Sequence, residues 1–183
     1  MLLRTPRGTR VYRKAFLVAG LAWLLVCTLG HLRAASTNSG GKGAVVRLMR
    51  APLPQPLGLI AQHYWFAVGE SEQDLVRWEL WQELDRGPDS WGYVHRDLMP
   101  WNQGVGGGDS ELVNQWRGQE AESFIACIEK EGPNYEHRNG YRAWPGPNSN
   151  TFTDAMLRQC GLHWSLDGTG IGKDYRGLIG LSL

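Results

Sequence analysis

"LIAQHYWFAV" (Leu59–Val68) and "DLVRWELWQEL" (Asp74–Leu84) decide how this chain folds. The first is apolar and aromatic over most of its length. In the second, Val76, Trp78 and Leu80 alternate with Arg77, Glu79 and Trp81, the period of a strand. Two successive strands lying as antiparallel neighbours follow from this. Upstream, "AVVRLMR" (Ala44–Arg50) reads as a strand entering the fold, and "APLPQPLG" (Ala51–Gly58) as a proline-rich turn that a sheet interior cannot hold. Downstream, residues 86–109 form a long loop or a weak hairpin rich in Gly, Asp, Pro and Trp. "GQEAESFIACIEKEG" (Gly118–Gly132) places Ala121, Phe124, Ile125 and Ile128 at helical spacing, with Gly132-Pro133 as its stop. Asn139-Gly140 is the expected hairpin turn of the irregular stretch after it. A second helix, "NTFTDAMLRQC" (Asn150–Cys160), precedes a glycine-rich tail expected to add a last strand. The sum is an α+β fold: about four strands in a small antiparallel sheet, with two main helices.

The N-terminus is built differently. Arg4, Arg7, Arg10, Arg13 and Lys14 precede an uncharged, mostly apolar run from Ala15 to Gly30, the pattern of a targeting or anchoring segment. As a helix the run would be about 24 Å long, short of the roughly 30 Å hydrocarbon core. That favours a cleaved signal, with Ala34-Ala35-Ser36 as the small-residue site; the long basic flank favours a retained transmembrane anchor. Centring a lipoprotein signal on Cys27 is the weaker alternative, because Val26 stands where a small residue belongs. Either main reading keeps the basic flank in the cytoplasm and exports the rest of the chain beyond the apolar run. The organisation is then a basic flank (1–14), an apolar helix (15–32), a linker (33–43) and one exported α+β domain (44–183). The expected location is the cell membrane with the domain in the periplasm or exterior, or the periplasm alone after cleavage near Ser36.

Six of the 19 basic residues lie in the first 35 positions, where there is no Asp or Glu, leaving 13 basic against 18 acidic beyond them. An exported part with net charge −5 gives no ground for nucleic-acid binding, which needs clustered cations. Cys127 and Cys160 both fall in expected helices and read there as small buried apolar residues, although an oxidising compartment would permit a bridge. "DGTGIGKD" (Asp167–Asp174) fails as a phosphate loop, since Asp167 stands where the first Gly is needed and Asp174 where a Ser or Thr should follow Lys173. "GVGGGD" ends in Asp109 where a dinucleotide loop needs its final small residue. His31, His63, His95, His137 and His163 are too far apart for a metal pair on one helix. No metal and no cofactor are expected. Trp65, Trp78 and Trp81 lie in expected strands, where burial is a commoner role than sugar stacking.

"WPGPNSNTFTDAM" (Trp144–Met156) carries the chemistry. Asn148, Ser149, Asn150 or Thr151 is a suitable helix cap, and Thr151 with Asp154 three places on has the form of a capping box. Ser149 also sits where a nucleophile would have unpaired backbone N–H groups beside it to stabilise an oxyanion. A serine needs a base. His63 on its strand is the candidate, Glu79 on the next strand its orienter, and His95 the substitute for Glu79. Arg142, Trp144, Asn148 and Asn150 are the candidate ligand contacts, Arg142 suiting an anionic group or an internal carboxylate.

In order along the chain, "GLIAQHYWFAV", "RWELW", "YRAWPGPNSNTF" and "IGKDY" resemble an uncharacterised bacterial family catalogued as domain of unknown function 3750, which typically begins with a membrane-proximal apolar segment. The "HYWFAV" strand and Asn148-Ser149-Asn150-Thr151-Phe152 are also similar to the circularly permuted papain-like enzymes, the NlpC-like and PPPDE groups, with Ser149 where those keep Cys. That resemblance implies a permuted papain-like architecture with a cleft between His63 and Ser149. Two functions are expected on these grounds. One is a membrane-tethered envelope domain binding a peptide, cell-wall or lipid ligand in the cleft; the other is a serine-dependent hydrolase or acyltransferase using Ser149, His63 and Glu79. Oligomeric state has no sequence signal.

Overall fold

The computed structural model describes residues 43–106 and 108–177. The basic flank, the apolar run with its cleavage pattern, most of the linker and the last six residues lie outside them. Among the described residues no helix is long and apolar enough to cross a membrane.

In the described residues six strands form one sheet: β1 (Val45–Pro52), β2 (Gln62–Gly69), β3 (Val76–Leu80), β4 (Ser90–Trp91), β5 (Val94–Arg96) and β6 (Glu111–Arg117). Their order is β4-β5-β3-β2-β1-β6, with every pairing antiparallel. Among the described residues two helices, α1 (Gln119–Glu131) and α2 (Ser149–Gln159), complete an α+β fold.

The sheet is larger than the four or so strands expected. β6 is an edge strand whose residues are mostly exposed or half-buried, so its sequence lacks the apolar alternation that marks a strand covered on one face. The short β4–β5 hairpin lies within the Gly- and Trp-rich stretch. β1 runs two residues into the proline-rich segment, to Pro52. Its pairing with β6 has already ended at Arg50↔Glu111, so at Pro52 the strand has only one neighbour and a missing N–H is tolerated. No strands flank Asn139-Gly140; Gly140 N instead closes a turn onto His137 O (3.1 Å). Residues 161–177 form turns and no strand.

β2 is buried from His63 to Gly69 because both faces of the sheet are covered, which is why it reads as a continuous apolar run rather than an alternation. On one face Leu48, Tyr64, Phe66, Val68, Trp78 and Leu80 meet Phe124 and Ile128 of α1 and Phe152, Met156 and Leu157 of α2. Each such large side chain contributes about 1.5–3 kcal/mol on burial. On the other face Met49, Ala51, Trp65 and Ala67 pack beneath the segment after β5, which supplies Trp101 and Val105. Trp65 Nε1 donates to Trp101 O at 2.8 Å and fastens that segment down.

Cys127 and Cys160 are joined in a disulfide with Cα atoms 5.5 Å apart, correcting their reading as unpaired apolar residues. Helical periodicity shows which side of each helix faces the sheet. It does not show that the end of α2 comes up against α1, with Cys160 beside Cys127.

Candidate functional site

The N-terminus of α2 is set by Asn148. Its backbone is extended, and its side-chain Oδ1 accepts from Asn150 N (3.0 Å) and Thr151 N (3.2 Å), while Thr151 Oγ1 accepts from Asn148 N (3.2 Å). The capping box is therefore Asn148/Thr151 and not Thr151/Asp154. Asp154 lies beyond the first turn and is held by Arg158 Nε and Arg176 Nη2, each at 3.0 Å. The glycine-rich turn that mimics a phosphate loop wraps this helix end. Asn148 Nδ2 donates to Ile171 O (3.0 Å) and Ala143 O (2.9 Å), and Thr151 Oγ1 to Gly172 O (2.7 Å). Gly172 has φ +89°, and a Cβ there would lie 2.3 Å from Asn148 Nδ2. The "WPGPNSNTF" and "IGKDY" strings are thus two halves of one interlocked structure.

The same helix end completes the sheet. β2 and β3 pair only from Phe66↔Trp78 to Val68↔Val76, leaving backbone groups of Gln62 and Tyr64 unpaired on the side away from β1. Asn150 takes them: Tyr64 N donates to Asn150 Oδ1 (3.0 Å), and Asn150 Nδ2 donates to Gln62 O and Ile171 O (both 2.9 Å). Thr153 Oγ1 donates to Tyr64 O (3.1 Å), and Gln62 N to Thr169 O (2.9 Å). A helix N-terminus and a turn stand in for the missing length of strand.

Because successive strand residues point to opposite faces, His63 turns away from Tyr64 toward the sheet face under Trp65. There its Nε2 lies 2.7 Å from Glu79 Oε2, between the rings of Trp65 and Trp81. Arg77, fully buried on the same face of β3, donates from Nη2 to Glu79 Oε2 (2.8 Å) and from Nη1 to Gln103 O (2.6 Å). Its guanidinium lies 3.9 Å from the Trp65 ring centroid. Arg77 Nε and Glu79 Oε1 are 2.7 Å apart but misaligned for a hydrogen bond. Burial pushes the Glu79 carboxyl upward. The hydrogen bond from His63, with the charge and hydrogen bond of Arg77, outweighs this and holds it below its usual value, so it is ionised. Burial pushes the His63 imidazole down against the opposing pull of Glu79. A neutral imidazole beside a carboxylate carries its proton on the nitrogen facing it. Nε2–H donates to Glu79, and the Nδ1 lone pair makes no hydrogen bond among the described residues. That is the protonation state of a general base.

The structure thus brings His63 and Glu79 together. It does not join them to Ser149 by a hydrogen bond: the buried Ser149 hydroxyl donates to Asn150 Oδ1 at 3.3 Å. Ser149 and His63 are linked indirectly, through Asn150 and the Tyr64 peptide. His95 is the cross-strand partner of Glu79, but both its ring nitrogens are committed, Nε2–H to Glu83 O (2.7 Å) and Nδ1 to Ser90 Oγ (2.6 Å). It holds the hairpin and is not placed to substitute for Glu79. Asn148 and Asn150 are occupied by the fold. Arg142 and Trp144 are exposed, Trp144 at 76%, and Arg142 lines a shallow depression with His137, Tyr141 and Tyr175.

Sequence reasoning missed Arg77. Its signal was present, since Arg77 and Glu79 are two residues apart on one face of an otherwise apolar strand. Thr169, Ile171 and Gly172 were missed because the glycine-rich tail read only as a turn. Among the described residues no group of three or more His, Cys, Asp or Glu side chains is placed to hold a metal.

A family model described as "Protein of unknown function (DUF3750)" matches residues 43–175. No curated protein and no solved structure matches the chain.

Proposed function

The chain belongs to the DUF3750 family, and from that premise we propose that it is a membrane-tethered cell-envelope domain that binds a peptide, cell-wall or lipid ligand between the N-terminus of α2 and the His63 end of β2. The observation that carries this is the buried His63–Glu79–Arg77 group with an uncommitted Nδ1. Replacing such buried charges by apolar residues is often neutral or stabilising, so stability gives little reason to keep them, and buried clusters of ionisable groups of this kind concentrate at functional sites. The exposed Trp144 and Arg142 supply an apolar and a cationic contact beside the helix end. The Cys127–Cys160 disulfide supports residence in an oxidising compartment, in keeping with export behind an N-terminal anchor or a signal cleaved near Ser36. Binding is tested with Arg142→Ala and Trp144→Ala. Retention of fold with loss of a lipid or cell-wall fragment from the wild-type binding set supports the reading, and unchanged binding by both variants removes those residues from it.

A second reading, favoured by the tautomer of His63, is a serine-dependent hydrolase or acyltransferase of permuted papain-like type. His63 Nδ1 would take the Ser149 proton as the hydroxyl attacks a carbonyl carbon, Glu79 would stabilise the imidazolium, and the Ser149 backbone N–H would face the oxyanion, since the Asn150 and Thr151 amides are taken by the Asn148 cap. Ser149 must then leave Asn150 Oδ1 and turn to His63. Labelling by a fluorophosphonate that is lost in both Ser149→Ala and His63→Gln supports this chemistry. Labelling that persists in Ser149→Ala ends it.

A further inference from the structure

The loop joining β1 to β2 lies within "APLPQPLGLIAQ" (Ala51–Gln62), which has no charged residue in twelve positions. It is an ordered turn. Leu53 N donates to Ala61 O (3.2 Å) and Ala61 N to Leu57 O (2.9 Å), and a Cβ on Gly58 would lie 2.2 Å from the Leu53 carbonyl oxygen. This closed turn holds Leu57, Leu59 and Ile60 outward, 56%, 78% and 64% exposed. Leu57 and Ile60, three apart around a 3-10 turn, fall on the same side. Single exposed leucines are ordinary on a protein surface; three aliphatic side chains in four residues, on an uncharged tip fixed by its own hydrogen bonds, form a patch that needs an occupant.

We infer that this tip inserts into the surface of a lipid bilayer. The inference rests on reading Ala15–Gly30 as a membrane segment, and the length of chain leading into the fold supports the choice of occupant. From Gly30 to Gly43 there are thirteen Cα-to-Cα steps, about 45 Å when extended. β1, which separates the end of that linker from the tip, has eight residues, about 26 Å of strand. The bilayer holding the anchor is therefore within reach of the tip. The exported part is net acidic and the tip carries no cation, so the contact is apolar, independent of anionic lipid and of salt. It places a membrane surface at the residues immediately before His63.

The test uses the full-length chain in phosphatidylcholine vesicles, carrying Cys27→Ser and Leu59→Cys, with an environment-sensitive NBD label on the introduced thiol and the Cys127–Cys160 disulfide intact. Leu84→Cys, at a residue 54% exposed between β3 and β4, is the control. The expected result is a blue-shifted emission at position 59 that is quenched by lipids spin-labelled on their acyl chains and shielded from aqueous iodide, none of which occurs at position 84. A blue shift without quenching by the spin-labelled lipids means that a second copy of the chain covers the patch, and overturns the inference. Iodide access at position 59 equal to that at position 84, in a chain that floats with the vesicles, overturns it while leaving the tether standing. A chain that does not float overturns both.

Discussion

Replacing Asn150 by alanine tests the interlock between α2 and β2 at its centre. Asn150 is 4% exposed and its side chain makes four hydrogen bonds: from Tyr64 N, from Ser149 Oγ, to Gln62 O and to Ile171 O. Alanine leaves Tyr64 N–H and Gln62 C=O without that partner. Ile171 O keeps Asn148 Nδ2, and the Ser149 hydroxyl is free to turn. A buried polar group left unsatisfied costs about 1–3 kcal/mol, so two of them predict a loss of about 2–6 kcal/mol. Ser149→Ala removes one 3.3 Å bond and should cost under about 1 kcal/mol. Urea unfolding of the detergent-solubilised chain, followed by tryptophan fluorescence, measures both on one scale. Asn150→Asp adds a check of sign. It sets an oxygen where the amide faced two carbonyls, which raises its folded pKa above the unfolded value of about 3.9. Its deficit relative to wild type is then smallest below that pH and grows as pH rises through it. If Asn150→Ala loses less than about 1 kcal/mol, the idea that a side chain replaces a length of strand here is wrong.

Other outcomes rest on separate features. Cys127→Ser with Cys160→Ser opens a connection spanning 33 residues and should cost about 3–4 kcal/mol, a loss that a reductant reproduces in the wild type and does not deepen in the variant. Gly172→Ala should cost about 1–3 kcal/mol through its positive φ and its clash with Asn148. Gly168→Ala, with nothing within 4 Å of its Cβ, should cost far less, and equal midpoints for the two would contradict the geometry. The folded His63 pKa lies below its ordinary 6.5, so the folded state binds fewer protons than the unfolded one as pH falls through that value, and stability is lost there. His63→Gln should flatten the stability profile between about pH 7.5 and 5.5. The flattening is partial, because burial also lowers His95. Glu79→Gln leaves the buried Arg77 charge without its carboxylate and should cost about 3–5 kcal/mol; a smaller loss in thermal or urea unfolding would mean that Arg77 finds its counter-charge elsewhere.

The α+β class, β1 to β3 and both helices were legible because each carries a periodic signal of its own. Alternation at Val76, Trp78 and Leu80, and helical spacing at Ala121, Phe124 and Ile128, are local properties that burial amplifies. β6 was not legible, since an edge strand with polar residues on both faces resembles a loop. The disulfide and the capping partner of Thr151 were missed for a different reason. Each depends on which segments become neighbours, and Asn148 matches a cap no better than Ser149 or Asn150 until the turn at Ile171 and Gly172 is seen against it. His63 and Glu79 could be nominated as residue types on adjacent strands. That Arg77 completes the pair, and that His63 faces the side of the sheet opposite the helices, depends on the strand register.

The seam between β2 and α2 also sets the order in which this site can exist. Gln62 and Tyr64 leave the ribosome long before their partners, since Asn150 lies 88 residues after Gln62 and 86 after Tyr64, and Thr169 and Ile171 come later still. Until those residues arrive, the end of β2 that carries His63 is an open edge. A nascent chain cut short before Thr169 would hold most of its apolar core and every side chain of its site, but not the turn that clamps Asn148, Asn150 and Thr151 in place. For this protein, hydrophobic collapse and the clamping of the site are separate milestones, and the second waits for the turn from Thr169 to Gly172.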